Sequence, residues 1–315
     1  MSLDSREWTV TDEGEAELER LLYAWAARET GVLSAYLESA GTPSEAAAEA
    51  DVTEASARVA GRVLASLGVL ERVEGEYEPT NRALGLMVKR DPRSVGSLPH
   101  RLDVIDTLVA LPETMETGVP PTFPESWHHN RVGASEAVSE ATRRACVTTA
   151  IRAAPGAERV LDVCGGAGGR AAEFEARGVD ATVVESPTVL EATRPLVESR
   201  GVAAVEGPLS EIQRTFDLVV SVDDVLAMDV SETAQTVTAA AERLAERGAL
   251  VVIDRFDEPA ATAAAVRGVA AGTGDGPTAS TVADLLAEAG LTEIREESVP
   301  GTDRRAVIGE RTTGE

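Results

Sequence analysis

Residues 162–169 read DVCGGAGG. A glycine run of this kind lets the backbone approach a ligand at the N-terminus of the helix that follows. From Gly166 onward the stretch GAGGRA satisfies the pattern G-x-G-x-x-G/A, which holds the adenosine end of a dinucleotide or a related nucleoside. Asp162 stands on the apolar run before the turn. Glu185 ends the next apolar run, where its carboxylate would accept hydrogen bonds from both ribose hydroxyls. That spacing suits NAD as well as any other adenosine-type ligand, and a tight turn with no ligand is the plain alternative. Three further carboxylates, Asp223, Asp224 and Asp254, follow later apolar runs. At the carboxyl edge of a parallel sheet they would hold Mg²⁺, or Asp223 would reach an adenine while Asp254 orients a substrate. The chain has 3 histidines, His100, His128 and His129. In the stretch SWHHN, Trp127 would stack a substrate while His128 or His129 takes a proton; surface histidines beside a core tryptophan are the plain alternative.

Composition limits what these residues serve. The 315 residues carry a formal charge of −25, and Lys89 is the only lysine among 29 basic residues. Acids spread along the chain with lysine nearly eliminated read as a solvated shell adapted to a molar-salt cytoplasm, hence a halophilic source. Such a charge repels phosphate backbones and argues against nucleic acid as a partner. No apolar run approaches the roughly 20 residues of a membrane span, and the start MSLDSREWTV lacks the basic and apolar regions of a signal peptide. A soluble, cytoplasmic protein is expected. Cys146 and Cys164 form no C-x-x-C pair, so neither zinc nor redox work is indicated.

The elements that must position these residues fall into two styles. In residues 12–29, Leu18, Leu21, Leu22 and Trp25 recur at helical spacing. A short helix in GVLSAYLES follows, then a helix announced by Thr42, Pro43 and Glu45 as a capping box. Thr53 caps a fourth helix whose buried face is read as Val59, Val63, Leu64 and Leu67. Then VLERV and EYEPT flank Glu74 and Gly75 as a hairpin. Helices followed by a hairpin give the order of a winged helix, a domain that reads DNA or is reused for dimerisation. The glutamates of this wing, Glu71, Glu74, Glu76 and Glu78, favour dimerisation. A connector follows, with a helix near 97–111, the Pro-rich GVPPTFPESWHHN, and a helix over 134–153. From Arg159 the pattern is α/β: strands RVLDV, ATVVE, VAAVEG, FDLVVSV and ALVVID alternate with helices over 169–177, 187–200 and 231–247. A helix over 279–289 precedes LTEIREESV and RRAVIGE, whose short link around Gly301 forces an antiparallel hairpin. An all-parallel dinucleotide domain does not end that way.

Taken in order, these segments resemble the small-molecule O-methyltransferases that use S-adenosylmethionine and carry an N-terminal winged-helix dimerisation domain, the group of the plant phenolic and hydroxyindole enzymes. TPSEAAAEADVTEASARVAGRVLASLGVLERVEGEYEPT is similar to that family's winged helix, LPETMETGVPP to its connector, LDVCGGAGG to its cofactor loop, TRPLVESRGVAAVEGPL to its third-strand approach and ADLLAEAGL to its last helix. The resemblance covers nearly the full length. It implies an α/β fold, a Rossmann-like class I methyltransferase sheet with a C-terminal antiparallel hairpin, preceded by an all-α/winged-helix domain. The implied domains are 1–95 for dimerisation, 96–155 as a helical connector lining the substrate chamber and 156–315 for S-adenosylmethionine. A homodimer acting on a small molecule is implied with them.

The resemblance also assigns roles. Asp162, Cys164, Gly166 and Gly168 would face the methionine portion, Glu185 the ribose, and Gly207, Leu209 and Asp223 the adenine. Three departures stand out. Cys164 replaces a glycine, so the turn must accommodate a Cβ; Pro208 replaces an aspartate; and in DDVLAMDV, Ala227 occupies the position of the catalytic histidine. Alanine cannot remove a proton, which leaves Asp254, Asp224 or His129 as the base. The expected activity is methyl transfer to a hydroxyl of a small metabolite. Competing with it are a cofactor-binding protein that has lost or changed that step, a winged-helix ligand-sensing regulator and, on the fingerprint alone, an NAD oxidoreductase.

Overall fold

A computed structural model describes residues 12–83 and 92–312; the stretch 1–10 and Lys89 lie outside the described residues. The chain divides into two compact units, Met1–Ile105 and Asp106–Glu315. The boundary cuts through the segment expected as a connector.

In the first unit, helices α1 (Asp12–Glu29), α2 (Val32–Glu38), α3 (Pro43–Ala50) and α4 (Glu54–Ser66) precede the strands β1 (Leu70–Val73) and β2 (Glu76–Pro79). The expected capping box is present: the Thr42 hydroxyl accepts from the Glu45 amide, and the Thr42 amide donates to the Glu45 carboxylate. Val73 pairs with Glu76 across Glu74 and Gly75, both at positive φ (51° and 100°), as a two-residue turn requires. Gly61 on α4 is obligatory, because a Cβ there would sit 2.6 Å from the Tyr77 ring. That close approach lets Tyr77 meet Tyr36 edge-on at 5.5 Å while the Tyr36 hydroxyl donates to the Ala57 carbonyl. The core takes in Leu64 of the anticipated faces, with Leu21, Trp25, Val63 and Leu67 packed against it, and adds small residues. Ala24, Ala57 and Ala60 are buried, whereas Leu18, Leu22 and Val59 of the expected apolar faces are exposed.

Helices α5 (Pro92–Val95) and α6 (Leu98–Val109) lead into the second unit, where α7 (Leu111–Thr117), α8 (Trp127–Glu136) and α9 (Glu140–Ala153) precede the sheet. The single helix expected over 134–153 is two, because Ser139 caps α9 through the Thr142 amide. Among the described residues the sheet has the order β5 (Ala203–Glu206), β4 (Asp180–Glu185), β3 (Arg159–Val163), β6 (Phe216–Val222), β7 (Leu244–Asp254), β9 (Arg305–Glu310), β8 (Thr292–Ser298). The first five run parallel, and β9 is antiparallel to both neighbours. Helices α10 (Gly169–Glu175), α11 (Pro187–Ser199), α12 (Val230–Glu242), α13 (Ala260–Ala271) and α14 (Ala279–Glu288) complete the unit. Alternate residues of each central strand enter two separate cores, Val160, Leu218 and Val251 in one and Leu161, Val219 and Leu250 in the other. Burial on both faces explains the unbroken apolar runs. The helix expected to reach 247 stops at Glu242, because Leu244 is already paired with Phe216 in the sheet. Helices α7 and α13 were not anticipated. No described helix is long and apolar enough to cross a membrane.

Candidate functional site

The carboxyl ends of β3, β4, β6 and β7 bring most of the singled-out residues to one edge. The turn after β3 is built as the glycine pattern requires: Gly166 (φ 58°) and Gly168 (φ 76°) adopt left-handed backbone, and Gly168 precedes α10. Gly165 has a different reason to lack a side chain, since a Cβ would lie 2.7 Å from Asp162 Oδ2. Cys164 also adopts positive φ, 51°, so this turn carries a Cβ in a conformation that glycine adopts without strain. Burial pushes its thiol pKa up, with the Asp224 and Glu185 charges adding. The Glu185 carboxylate closes on the turn, accepting from the Gly166 amide at 3.1 Å and from the Ser186 amide at 2.8 Å. The Gly207 amide donates to the Glu185 carbonyl. A cleft of about 870 Å³, open to solvent, runs from Cys164 and Glu185 past Gly207, Pro208 and Leu209 to Met228 and Gln235.

Asp162 is fully buried and paired with Arg170, whose Nε and terminal nitrogen lie 3.1 and 3.0 Å from Oδ1; Oδ2 has no hydrogen-bond partner. Burial pushes its pKa up, with Arg170 opposing. Arg170 also donates to the Cys164 carbonyl at 3.3 Å, so one guanidinium ties the strand end to the turn. Sequence reasoning did not single it out, although an arginine opening the helix after a buried acid is a readable signal.

The acids after β6 and β7 behave differently. Asp223, expected at the adenine, does not line that cleft. It adopts φ 62° and is gripped by Arg304, with Nε 2.8 Å from Oδ1 and a terminal nitrogen 2.7 Å from Oδ2. Asp223 and Arg304 instead line a small crevice with Glu136, Arg143, Cys146 and Arg170. Nothing in the sequence pointed to Arg304, which arrives from the closing hairpin. Asp224 is buried: Arg131 lies 3.3 Å from Oδ1, and Oδ2 has no hydrogen-bond partner. Burial pushes its pKa up to about 8; Arg170 and Arg131 oppose this, and the Asp254 and Glu185 charges reinforce it. Asp254 is buried with both oxygens engaged, Oδ2 by the Leu226 amide at 3.2 Å and Oδ1 by the Arg255 amide at 2.8 Å. Its pKa rises to about 6 through burial and the charge of Asp223. Ala227 lies in the turn Val225–Ala227 between them, its amide bonded to the Asp224 carbonyl.

Trp127, His128 and His129 open α8, with Trp127 packed on Phe123 at a ring separation of 4.4 Å. His128 is exposed and His129 half-buried. No group of three or more His, Cys, Asp or Glu able to hold a metal ion occurs among the described residues.

No protein-family model and no curated protein sequence matches the chain. Solved structures do match. The mitomycin 7-O-methyltransferase MmcR aligns over 96% of this chain and 96% of its own, with a TM-score of 0.69 and 20% identity. Human N-acetylserotonin methyltransferase, solved in complex with SAM, aligns over 98% of this chain and 100% of its own, with a TM-score of 0.66 and 16% identity. An O-methyltransferase family protein from Burkholderia thailandensis gives 98%, 100%, 0.64 and 20% for the same measures. At these identities the likeness establishes a shared fold: this chain folds as those proteins do, with a mixed seven-stranded sheet behind an N-terminal helical region.

Proposed function

We propose that the protein is an S-adenosylmethionine-dependent methyltransferase that acts on a hydroxyl of a small molecule. The observation that carries this reading is the Glu185 carboxylate, set on the Gly166 amide at the mouth of the apolar cleft beside Gly207 and Leu209. An adenosine fits such a cleft. Glu185 would exchange its bond to Gly166 for the ribose hydroxyls, Val184, Leu209 and Met228 would cover the adenine, and Gly166 and Gly168 would admit the methionine chain. The antiparallel β9 between β7 and β8 argues against a dinucleotide domain, whose halves are all parallel. When bound, S-adenosylmethionine supplies an electrophilic methyl group.

The chain's own part is to exclude water, align the acceptor and hold its proton. Ala227 contributes no base. Among the acids at this edge, Asp224 is the best placed to do so: one oxygen is uncommitted and the carboxyl titrates near neutrality, where a general base works best. Asp254, whose oxygens are both held by amides, would position the turn that carries Ala227. The exposed leucines of α1 and the acidic hairpin favour a second copy of the chain as partner over nucleic acid. The test is calorimetric binding in molar KCl of S-adenosylmethionine, S-adenosylhomocysteine and NAD, with Glu185→Ala as control. Binding of both adenosyl ligands but not NAD, lost in the variant, is expected; NAD binding alone would overturn the reading. Absence of methyl transfer despite adenosyl binding would point to a protein that has lost the step at Ala227.

A further inference from the structure

The glycine turn is tied from several sides, and the ties differ in what a ligand does to them. Toward the cleft, the Glu185 carboxylate accepts from the Gly166 amide. On the proposed reading that bond is given up to ribose hydroxyls, so it cannot hold the turn once the cofactor is bound. Two other ties share one design, in which an arginine paired with a carboxylate donates to a carbonyl of the turn. Arg170, paired with Asp162, donates to the Cys164 carbonyl at 3.3 Å. Arg200, paired with Glu136, donates to the Ala167 carbonyl. Neither arginine lines the cleft.

The Glu136–Arg200 tie gathers three elements at one point. Glu136 closes α8, and Arg200 follows α11. The guanidinium reaches both carboxylate oxygens, one terminal nitrogen lying 3.2 Å from Oε1 and also serving the Ala167 carbonyl, the other bonded to Oε2. Such a fork fixes direction as well as distance. The side chains are 8% and 17% exposed, so salt weakens the contact far less than it weakens a surface pair. Four residues before Glu136 on the same face of α8, Val132 packs with Ala167 and with Leu196 of α11. The start of α10 is equally close, since a Cβ on Gly169 would lie 3.1 Å from Glu136 Oε1 and 3.3 Å from Arg143 Nε. Stability alone does not call for this pair, because apolar residues of similar size commonly do as well as a buried ion pair. The bond to a turn of three glycines, whose backbone is otherwise the least restricted in the chain, is what apolar residues could not supply.

We propose that Glu136 and Arg200 are positioning residues for the cofactor: they hold the glycine turn by its Ala167 carbonyl in the shape a ligand meets, and they go on holding it when Glu185 turns to that ligand. The word cofactor rests on the methyltransferase reading; the bracing of the turn does not. Neither side chain touches what lies in the cleft. Arg200 acts through Ala167, and Glu136 acts through Arg200.

The experiment replaces the pair by apolar residues in the full chain, Glu136→Leu/Arg200→Leu. It reads the denaturant midpoint, the calorimetric affinity for S-adenosylhomocysteine, and hydrogen exchange of the Gly168 amide, which donates to the Gly165 carbonyl within the turn. Exchange at Val220 and Val251, paired across β6 and β7, serves as the reference. Removing both charges removes their desolvation cost, so the midpoint and the reference amides are expected to hold or improve. The Gly168 amide should exchange about tenfold faster, and S-adenosylhomocysteine should bind about tenfold more weakly. In Glu185→Ala the Gly168 amide should keep its protection, because both arginine ties remain; losing it there would overturn the proposal. So would a folded double variant with unchanged Gly168 exchange, with unchanged affinity for a ligand that the wild type binds, or with Gly168 and the reference amides accelerated alike. Should the double variant not fold, Arg200→Lys decides. A point charge still pairs with Glu136 but cannot serve two carboxylate oxygens and a carbonyl together, so Gly168 exchange should rise at least about threefold; wild-type exchange there overturns the proposal. Failure of S-adenosylhomocysteine to bind the wild type faults the cofactor reading alone, because Gly168 exchange still decides the bracing.

Discussion

The two halves of the sheet edge handle their carboxylates in opposite ways. Around β3 and β4, each acid has an assigned partner: Asp162 has Arg170, and Glu185 has the Gly166 and Ser186 amides. Around β6 and β7, Asp223 is paired with Arg304, but Asp224 and Asp254 are buried with less compensation. Asp224, which like Asp162 keeps one oxygen without a partner, meets only the exposed Arg131 at 3.3 Å, and Asp254 is held by backbone dipoles instead of a countercharge. The first arrangement fixes the shape of the glycine turn. The second keeps carboxyl groups close to neutrality, where they exchange protons at ordinary pH. On the proposed reading, a binding half and a reacting half are thus separated along one edge by the kind of compensation each receives.

The largest expected effect tests whether the binding half depends on its ion pair. Asp162→Ala would strand the Arg170 guanidinium in the interior and is expected to cost about 3–5 kcal/mol, read as a lowered midpoint in denaturant melts. Asp162→Ala/Arg170→Leu should recover most of that loss, because removing both charges removes the desolvation penalty as well. Equal destabilisation in the two variants would mean that Asp162 matters for its packing alone. Next in size, Glu185→Ala is expected to weaken S-adenosylhomocysteine by about tenfold to hundredfold, the worth of a charged hydrogen bond, with little change in melting temperature. Unchanged affinity would move the ligand away from the glycine turn.

The binding half was legible in the sequence because its backbone geometry restricts residue type. Positive φ at Gly166 and Gly168 leaves a mark, as does a β-strand ending in an acid, just as the capping box at Thr42 does in the first unit. The reacting half left no such mark. Arg304 reaches Asp223 from the far hairpin, a pairing with no local periodicity. The Asp223 side chain went to that arginine instead of the cleft beside Glu185 for the same reason. Helix α13 was missed because an alanine-rich stretch shows no apolar stripe, and β7 began earlier than expected because cross-strand pairing of Leu244 with Phe216 overrode helical spacing. In the first unit, Leu18, Leu22 and Val59 looked like core by spacing yet stay exposed, whereas Leu64 of the same faces is fully buried and Leu21, Trp25, Val63 and Leu67 pack against the core.

A smaller effect sharpens the reacting half. An aspartate raised to about 8 in the folded state keeps its proton where the unfolded chain, with an ordinary value near 4, has released it. Folding therefore binds a proton between roughly pH 4 and 8, and stability falls as pH rises through that window. Asp254, raised to about 6, adds to the slope only in the lower half. Asp224→Asn should flatten the decline between about pH 6 and 8, should reduce it by about half between pH 4 and 6, where Asp254 still contributes, and should raise the melting temperature at pH 8 by a few degrees. Thermal melts across pH 5–8 at fixed KCl decide it. A variant that keeps the wild-type slope would assign the proton elsewhere and remove Asp224 as the base.

The smallest effect returns to the binding half, at its one irregular residue. Cys164 holds φ 51°, a conformation that costs an L-residue about 1–2 kcal/mol. Its side chain also packs against the core of Leu161, Val163 and Val184. Cys164→Gly relieves the strain but forfeits that packing and adds chain entropy of about 0.5–1 kcal/mol. Stability should therefore shift by no more than about 1 kcal/mol in either direction, and affinity for S-adenosylhomocysteine should hold within about threefold. If affinity instead rises tenfold, the cysteine Cβ is obstructing the ligand, and the turn is less well formed for binding than its glycines and Glu185 indicate. The contrast between a finished binding half and a less compensated reacting half would then narrow at the residue where this chain departs from the glycine pattern.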